Sequence, residues 1–296
     1  MENIRGAILM TIAMAGFAFE DTFIKLATQD GMPTGQVLFV LGILGTLIYW
    51  AVMAPKKIPL ITTKLLECGV IVRNLGEFIG TGCYVLAFTG GALAAASAVM
   101  QALPLFVTMG AALFLGQQVG WRRWTAIAVG FFGVLLVIQP GGANFDPLLL
   151  LAFVGVLGMS IRDVQTRAFK GHLHSLQIAA WGFLSIVPLG AAIMVYTGDT
   201  WIMPNLKSWA YIGAAVLIGT AAYYVLIVAS RLGDMAVIAP FRYTRIVFAL
   251  IVGVLIFDEG DAINTTMMIG VLIVITSGIY TFYRESRVRS ASPSSS

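Results

Sequence analysis

Two stretches of the sequence, GFAFEDTFIK at residues 16–25 and GMSIRDVQTR at residues 158–167, carry one pattern of glycine and charged residues 142 positions apart. At this offset the aligned pairs are Gly16 with Gly158, Glu20 with Arg162, Asp21 with Asp163, and Lys25 with Arg167. Both stretches lie inside long apolar segments, where charged side chains are costly and therefore rare. A charge pattern repeated in such surroundings indicates an internal duplication.

The composition is that of a membrane protein, because 59% of the residues are hydrophobic and only 11% are charged, against roughly 25% charged in soluble domains. Apolar runs of about 20 residues, the length that crosses a bilayer as a helix, recur along the chain. These runs lack the alternation of a β-barrel. We therefore predict an all-α polytopic membrane protein with ten transmembrane helices, approximately at residues 5–27, 35–54, 69–88, 92–115, 121–138, 147–168, 175–196, 207–229, 235–257 and 264–283.

Short polar segments separate these spans and carry turn-forming residues, such as PKKIP at 55–59 and QPGG at 139–142. No interval is long enough for a soluble domain. The serine-rich end of the chain has the composition of a disordered tail. The sequence thus predicts a first five-helix repeat at 1–142, a second at 143–285 and a disordered cytoplasmic tail at 286–296.

Positively charged residues predict the orientation, since cytoplasmic loops collect Lys and Arg. With the N-terminus inside, only Lys25 and Lys207 fall on the external side. Twelve basic residues fall on the cytoplasmic side, namely Arg5, Lys56, Lys57, Lys64, Arg122, Arg123, Arg167, Lys170, Arg231, Arg284, Arg287 and Arg289. We predict a multi-pass protein of the bacterial inner membrane with both termini in the cytoplasm.

The duplication extends beyond the opening stretches, because LFLGQ at 113–117 aligns with LIFDE at 255–259 at the same offset. Each half has five helices, an odd number, so the second half enters the membrane inverted relative to the first. Inverted repeats are characteristic of secondary transporters, in which one central site faces the two sides alternately.

Inversion places the two charged motifs toward opposite sides of the membrane. Glu20 and Asp21 lie toward the outside, whereas Arg162 and Asp163 lie toward the cytoplasm. We predict that each motif lines one exit of a central cavity, with Asp21, Arg162 and Asp163 as gate residues. In the alternative, each motif forms structural i,i+4 ion pairs, namely Asp21–Lys25 and Asp163–Arg167.

Three motifs, LFLGQ, LIFDE and PFRYTR at 240–245, resemble those of the drug/metabolite transporter superfamily, EamA type. The family's terminal acid is present as Glu259 but is replaced by Gln117 in the first half. The resemblance spans nearly the whole chain and implies ten helices, a cavity lined mainly by helices 1, 3, 4, 6, 8 and 9, and alternating access. It also implies substrates such as amino-acid derivatives, S-adenosylmethionine or riboflavin.

Span 3 carries a polar stripe of Arg73, Glu77, Thr81 and Tyr84, spaced three or four residues apart on one helical face. Charges on such a stripe would cost about 2.5–3.5 kcal/mol each at the bilayer centre, so the stripe must face protein or water. We predict that Arg73, Glu77 and Tyr84 contact substrate. In the alternative, Arg73 and Glu77 only neutralise each other.

Span 9 carries Arg242 and Arg245 three residues apart, beside Tyr243 and after Pro240. A guanidinium fork binds carboxylate or phosphate groups in two-point geometry. All three side chains are predicted to bind substrate, although the arginines could instead pair with acids, namely Glu77, Asp163 or Asp234. On span 4, Gln101 is predicted to bind substrate or to join helices.

Acidic and basic residues balance in the predicted cavity, with Glu20, Asp21, Glu77 and Asp163 against the four arginines of spans 3, 6 and 9. This balance predicts a small anionic or zwitterionic substrate, with Glu20 among its contacts. Intramembrane carboxylates also suit proton coupling, for which Glu20 and Glu77 are the candidates. The alternative is an exporter of organic cations that uses Glu20.

Other classes fit the sequence less well. It has no phosphate-binding loop and no Ser/His, paired-Asp or DxxxD-type site for a membrane-embedded enzyme. A channel would usually build its pore from several subunits, and the internal duplication weakens that case. We expect no catalytic activity, no cofactor, no metal site and no nucleic-acid partner, and a monomer or weak homodimer in the lipid bilayer.

Overall fold

The computed structural model describes most of the chain, namely residues 2–116, 120–141, 145–168, 173–229 and 238–291. Within those residues, ten helical segments are long and apolar enough to cross a membrane. This confirms the predicted fold class, an all-α polytopic protein with ten transmembrane helices. Side chains are described throughout these ranges except at residues 3, 167, 168, 239 and 284–291.

The observed bounds of the spans lie within a few residues of the predicted ones in most cases. In order, the spans are Glu2–Gln29, Thr34–Met53, Cys68–Gly90, Leu93–Met100 with Leu103–Phe114, Trp121–Ile138, Leu148–Ala168, Ser175–Thr197, Leu206–Ala229, Ala239–Tyr243 with Thr244–Phe257, and Thr265–Ala291.

Span 10 is longer than predicted, because its helix continues to Ala291. Residues 286–291, where the disordered tail was predicted to begin, continue this helix. The segment contains Arg287 and Arg289, and arginine propagates a helix well. Residues 292–296 lie outside the described residues.

Span 4 is broken at Gln101 and Ala102, where one continuous helix was predicted. Pro104 supplies the physical cause, because it has no N–H to donate and its ring clashes with the carbonyl four residues earlier. The chain tightens there, with the Gln101 N–H donating to Ala98 and the Ala102 N–H to Val99. Span 9 likewise opens with a 3₁₀ turn that contains Pro240.

The packing of the spans follows the symmetry that an inverted repeat requires. Span 3 packs mainly on span 6, and span 1 packs mainly on span 8. These two pairs are equivalent, because adding five to a span number in one half gives its counterpart in the other. Each of the spans 2, 4 and 5 also packs on its counterpart in the other half, namely span 7, 9 or 10.

Glycines allow spans 3 and 6 to approach closely near their charged residues. A Cβ added at Gly76 would lie 2.7 Å from the Gly158 carbonyl oxygen, and one added at Gly158 would lie 2.6 Å from the Gly80 nitrogen. Only residues without side chains fit at such a distance between backbones. This contact brings Glu77 of span 3 within reach of Arg162 of span 6.

Candidate functional site

A cavity of about 130 Å³ lies between eight of the described spans. A single water needs only about 10–15 Å³ measured this way, so the cavity holds more than one small group. Three acids and three bases line it, namely Glu20, Asp21, Glu77, Arg162, Arg242 and Arg245. Their formal charges sum to zero, which is the balance predicted from the sequence.

The predicted spans 1, 3, 4, 6, 8 and 9 all contribute to the lining, but spans 2 and 7 contribute as well. Leu38 and Leu41 come from span 2, and Phe183 and Ile186 come from span 7. These side chains are apolar, so they carried none of the polar signal from which the other cavity residues were predicted.

Five charged residues form one continuous chain of ion pairs along this lining. Arg73 Nη2 lies 3.0 Å from Glu77 Oε2, and Arg162 Nη1 lies 3.0 Å from Glu77 Oε1. Arg162 Nε in turn lies 2.8 Å from Asp163 Oδ1. Arg242 Nη2 ends the chain, 3.4 Å from Asp163 Oδ2. The chain joins spans 3, 6 and 9, and it includes the Arg73–Glu77 pair considered above.

A second ion pair joins spans 1 and 9. Arg245 Nη2 donates to Asp21 Oδ2 at 2.5 Å, and the Tyr84 hydroxyl donates to the same oxygen at 3.0 Å. Tyr84 also shares a hydrogen bond of 3.0 Å with Ser97. The Arg245 guanidinium lies over two rings, 5.3 Å from the centroid of Tyr84 and 5.4 Å from that of Phe17. Asp21 of span 1 is therefore held by groups from spans 3 and 9.

Glu20 differs from the other charged residues of the cavity. Among the residues that the structure describes, it has neither a hydrogen bond nor an ion pair, although it lines the cavity and is partly buried. Its symmetry counterpart, Arg162, is engaged by two carboxylates. The Glu20 carboxylate is therefore available to bind a cationic ligand or a proton.

The two arginines of span 9 are only partly engaged. Within the described part of the chain, Arg242 and Arg245 each use one terminal nitrogen for their carboxylate partner. Arg245 also has a buried Nε that finds no hydrogen-bond acceptor there. Because a guanidinium carries five N–H donors, both side chains keep donors for a further anion.

Two of the predicted substrate residues do not line the cavity. Tyr243 is buried against Phe282, away from the cavity. The 3₁₀ turn explains this position, since residues three apart share a face and Arg242 and Arg245 occupy the cavity face. Arg73 lies behind Glu77, where it also donates to the Tyr223 hydroxyl at 3.1 Å.

Gln101 lines the cavity at the break in span 4, and it is buried. Its Nε2 donates to the Ser97 carbonyl at 3.0 Å, so its amide NH₂ satisfies the broken helix. Asp163 is not among the lining residues, but it contacts the lining residues Arg162 and Arg242. The predicted gate residues Asp21 and Arg162 line one shared cavity rather than two separate exits, and their gating role stays a prediction.

The alternative Asp21–Lys25 ion pair does not form. Lys25 Nζ instead lies 2.6 Å from Glu259 Oε1 and donates to the Gly91 carbonyl at 2.5 Å. Glu259 also accepts the backbone N–H groups of Leu93 and Ala94, each at 2.9 Å, at the start of span 4. We call this buried cluster the Lys25–Glu259 latch. The Arg167 side chain of the second alternative pair lies outside the described residues, as do Asp234 and Gln117.

Comparison with known proteins agrees with this architecture. The model of the EamA-like transporter family matches the chain twice, at residues 4–139 and 147–283. One solved crystal structure aligns with 94% of this chain and 98% of its own, with a TM-score of 0.62 and 18% sequence identity. At that identity the likeness shows the fold alone.

Several curated relatives are named as transporters. An S-adenosylmethionine uptake transporter of Rickettsia bellii is 24% identical, over 74% of each chain. A riboflavin transporter of Vibrio cholerae is 21% identical, over 93% of this chain and 91% of its own. A pseudopaline exporter of Pseudomonas aeruginosa is 26% identical, over 91% of this chain and 93% of its own. With a family match over nearly its whole length, the chain belongs to the EamA-like transporter family of the drug/metabolite transporter superfamily.

Proposed function

We propose that this transporter carries a small zwitterionic organic metabolite, such as an amino-acid derivative, across the bacterial inner membrane by alternating access. One observation carries the proposal: a single cavity contains Glu20, a carboxylate with no ionic partner among the described residues, and two arginines with donors to spare. A zwitterion supplies both missing charges at once and leaves the net charge of the cavity unchanged.

The carboxylate of such a substrate binds to Arg242 and Arg245. Each arginine holds its acidic partner through one terminal nitrogen, so a substrate carboxylate can accept hydrogen bonds from the remaining N–H groups without breaking either pair. Charge-assisted hydrogen bonds of this kind are roughly twice as strong as neutral ones. The cationic group of the substrate binds to Glu20.

Glu20 is also the proton-coupling residue in this proposal. Glu77, the other candidate from the sequence, lies between two arginines and accepts a further hydrogen bond from Thr81 at 3.0 Å. Protonation of Glu77 would therefore break two ion pairs, whereas protonation of Glu20 breaks none among the described residues. Substrate and proton then compete for the same carboxylate.

The names of the relatives support a substrate of this kind. S-adenosylmethionine carries a carboxylate and cationic groups, as the proposed site requires, whereas riboflavin has no charged group to satisfy Glu20. The relatives include both uptake proteins and an exporter, so the proposal concerns the substrate class and not the direction of transport.

Export of an organic cation is the second candidate, and it is favoured by the same unpaired Glu20. A cation would bind to the carboxylate and leave the arginines in purely structural ion pairs. The two candidates therefore differ in whether Arg242 and Arg245 contribute to binding.

A thermal-shift measurement on the purified protein in detergent separates the two candidates. The panel consists of S-adenosylmethionine, other amino-acid derivatives, riboflavin, dicarboxylates and quaternary amines. A ligand at 100 times its Kd stabilises the folded state by about 2.7 kcal/mol. We expect stabilisation by a zwitterion that is lost in Arg242→Ala or Arg245→Ala but kept in Arg122→Ala, an exposed arginine outside the cavity. Stabilisation by quaternary amines alone, unaffected by the span 9 variants, would support cation export instead.

A further inference from the structure

Two pairs of equivalent positions beside the cavity differ between the two halves. At the offset of 142 residues, Glu77 of span 3 corresponds to Gly219 of span 8, and Arg162 corresponds to Glu20. In one half, Arg162 and Glu77 form an ion pair of 3.0 Å. In the other half, a Cβ added at Gly219 would overlap the Glu20 carboxylate. The Glu20 carboxylate thus occupies the space next to span 8 that a side chain at position 219 would fill.

The surroundings of Glu20 suit a cationic group. Phe17 and Tyr223 line the cavity with it, and their rings meet edge to face with centroids 6.4 Å apart. Aromatic rings attract ammonium and similar cations, and more strongly where water is excluded. A carboxylate next to such rings therefore favours an organic cation over a neutral polar group.

We propose that Gly219 is a specificity-determining position of this transporter. By carrying no side chain it leaves room for Glu20 to lie against span 8, where Glu20 lines the cavity and forms no ion pair with any described residue. The carboxylate can then bind the ammonium or sulfonium group of a substrate. This inference rests on the proposed function, in which Glu20 contacts the cationic end of the substrate.

The test compares Gly219→Ala with Gly213→Ala in the full-length protein. Gly213 lies on the same span, and a Cβ there would meet no atom within 4 Å. We expect Gly219→Ala to raise the Kd for S-adenosylmethionine or tetraethylammonium about tenfold, which corresponds to about 1.4 kcal/mol, and Gly213→Ala to leave it unchanged. Glu20→Asp in the Gly219→Ala background shortens the carboxylate by one methylene and should restore most of the affinity. A merely structural effect of the added methyl group would not be relieved in this way.

A second readout needs no substrate. A hydrophobic carbodiimide modifies protonated carboxyl groups within membranes, and mass spectrometry locates the modified residue. Glu20 should react in the wild type and change its reactivity in Gly219→Ala but not in Gly213→Ala. Equal reactivity and affinity in all three proteins would overturn the role of Gly219. Unchanged binding in Glu20→Gln, or no binding of either probe to the wild type, would instead count against the proposed function itself.

The Lys25–Glu259 latch carries a second, independent inference. It lies directly beyond one end of the cavity, because Ile24 is a lining residue and Lys25 follows it. This is the end predicted to be external. The latch ties span 1 to the end of span 9 and to the start of span 4. At the offset of 142 residues, Lys25 corresponds to Arg167 and Glu259 corresponds to Gln117, which is uncharged.

We also propose that the Lys25–Glu259 latch is a gate that holds the external end of the cavity closed and must part before that end opens. Breaking the ion pair leaves a buried charge without its partner, which shifts the balance toward conformations that hydrate it. By closing the external end, the latch favours conformations in which the cavity faces the cytoplasm.

Thiol accessibility in whole cells tests the gate. Leu38→Cys places a reporter in the cavity wall, in a background where Cys68 and Cys83 are replaced by Ser. We expect Glu259→Gln to raise its labelling rate by an external, membrane-impermeant reagent about tenfold, and Lys25→Met to do the same. Asp30→Asn is the control, because Asp30 pairs with the exposed Lys207 away from the cavity.

Two outcomes would contradict the gate. One is an unchanged labelling rate in both latch variants, provided that they elute as folded protein. The other is a labelling rate raised equally by the Asp30→Asn control, which leaves the latch intact.

Discussion

Of the charged side chains that line the cavity, all but Glu20 form an ion pair with a described residue. Arg245 and Asp21 form one ion pair, and the five residues of the longer chain form the others. Burying an ion pair gives little net stability, but removing one partner from a buried pair is costly. Substitutions in the cavity should therefore affect stability in proportion to the charge that they leave uncompensated.

Glu20→Gln should flatten the pH dependence of transport and leave folding intact, because the substitution removes the titrating group without breaking an ion pair. Initial rates of uptake into proteoliposomes, measured over a range of pH, check this. Glu67→Gln is the matched control, since Glu67 is exposed at the start of span 3. An unchanged pH profile in Glu20→Gln would remove Glu20 from the coupling role.

Arg245→Met should lower the free energy of unfolding by about 3–5 kcal/mol, because it leaves the buried Asp21 with only the Tyr84 hydroxyl. Arg242→Met should cost less, since Asp163 keeps Arg162 at 2.8 Å. Denaturant unfolding of both variants in detergent measures the difference. Adding Asp21→Asn to Arg245→Met should recover part of the loss, and equal losses in the two single variants would contradict this reading.

Some of the features that position the helices can be predicted from the sequence, and others cannot. Long apolar runs predicted the spans well, and the shared offset predicted which helices are equivalent. Pro104 did not predict the break in span 4, because a proline in a membrane helix produces a kink, a break or neither according to its neighbours. The partner of Lys25 was also missed, because Glu259 is 234 residues away and helical spacing suggested Asp21 instead.

Gly158→Ala should destabilise the contact between spans 3 and 6. The added Cβ would meet backbone atoms of Gly80 that cannot move without shifting a helix, so a loss of about 1–3 kcal/mol is expected. Gly213→Ala, which meets open space, should change stability by no more than about 1 kcal/mol. Thermal unfolding of the two variants side by side provides the measurement. Similar values for both would show that the close approach is not rigid.

Asp30, between spans 1 and 2, makes stability depend on pH. Hydrogen bonds from Ser208 and Asn205, with the Lys207 ammonium nearby, hold its pKa below the ordinary value of 3.8. A lowered folded-state pKa stabilises the protein above that ordinary value, and this contribution is lost as the pH falls through the lowered pKa. The melting temperature of the wild type should therefore exceed that of Asp30→Asn near neutral pH, with the gap closing below about pH 4. A gap independent of pH would contradict this.

At the scale of the whole molecule, the sequence predicts the architecture well and the contacts within the site poorly. The apolar runs and the motif repeat were enough for ten helices and for the family. They were also enough for most of the charged lining, because charges are rare in membrane spans and so stand out. The sequence does not show which charges pair, because pairs such as Asp21–Arg245 depend on three-dimensional contacts. The apolar walls from spans 2 and 7 carry no sequence signal.

The predicted orientation, with both termini in the cytoplasm, can be tested with a native residue. Cys68 is exposed at the start of span 3, on the predicted cytoplasmic side. In a Cys83→Ala protein, an impermeant thiol reagent should label Cys68 in inverted vesicles but not in intact cells. Thr200→Cys, in the exposed loop between spans 7 and 8, should show the opposite pattern. Labelling of Cys68 in intact cells would reverse the assigned topology.

The pairing of span 1 with span 9 also has a consequence for biosynthesis. Asp21 enters the membrane long before Arg245, which is 224 residues further along the chain. At a synthesis rate of about 5–20 residues per second, Arg245 is synthesised about 10–45 seconds after Asp21. The interval between Lys25 and Glu259, which are 234 residues apart, is similar. The nascent first helix must therefore be sheltered by the insertion machinery, or held neutral, until the ninth helix leaves the ribosome and completes both pairs.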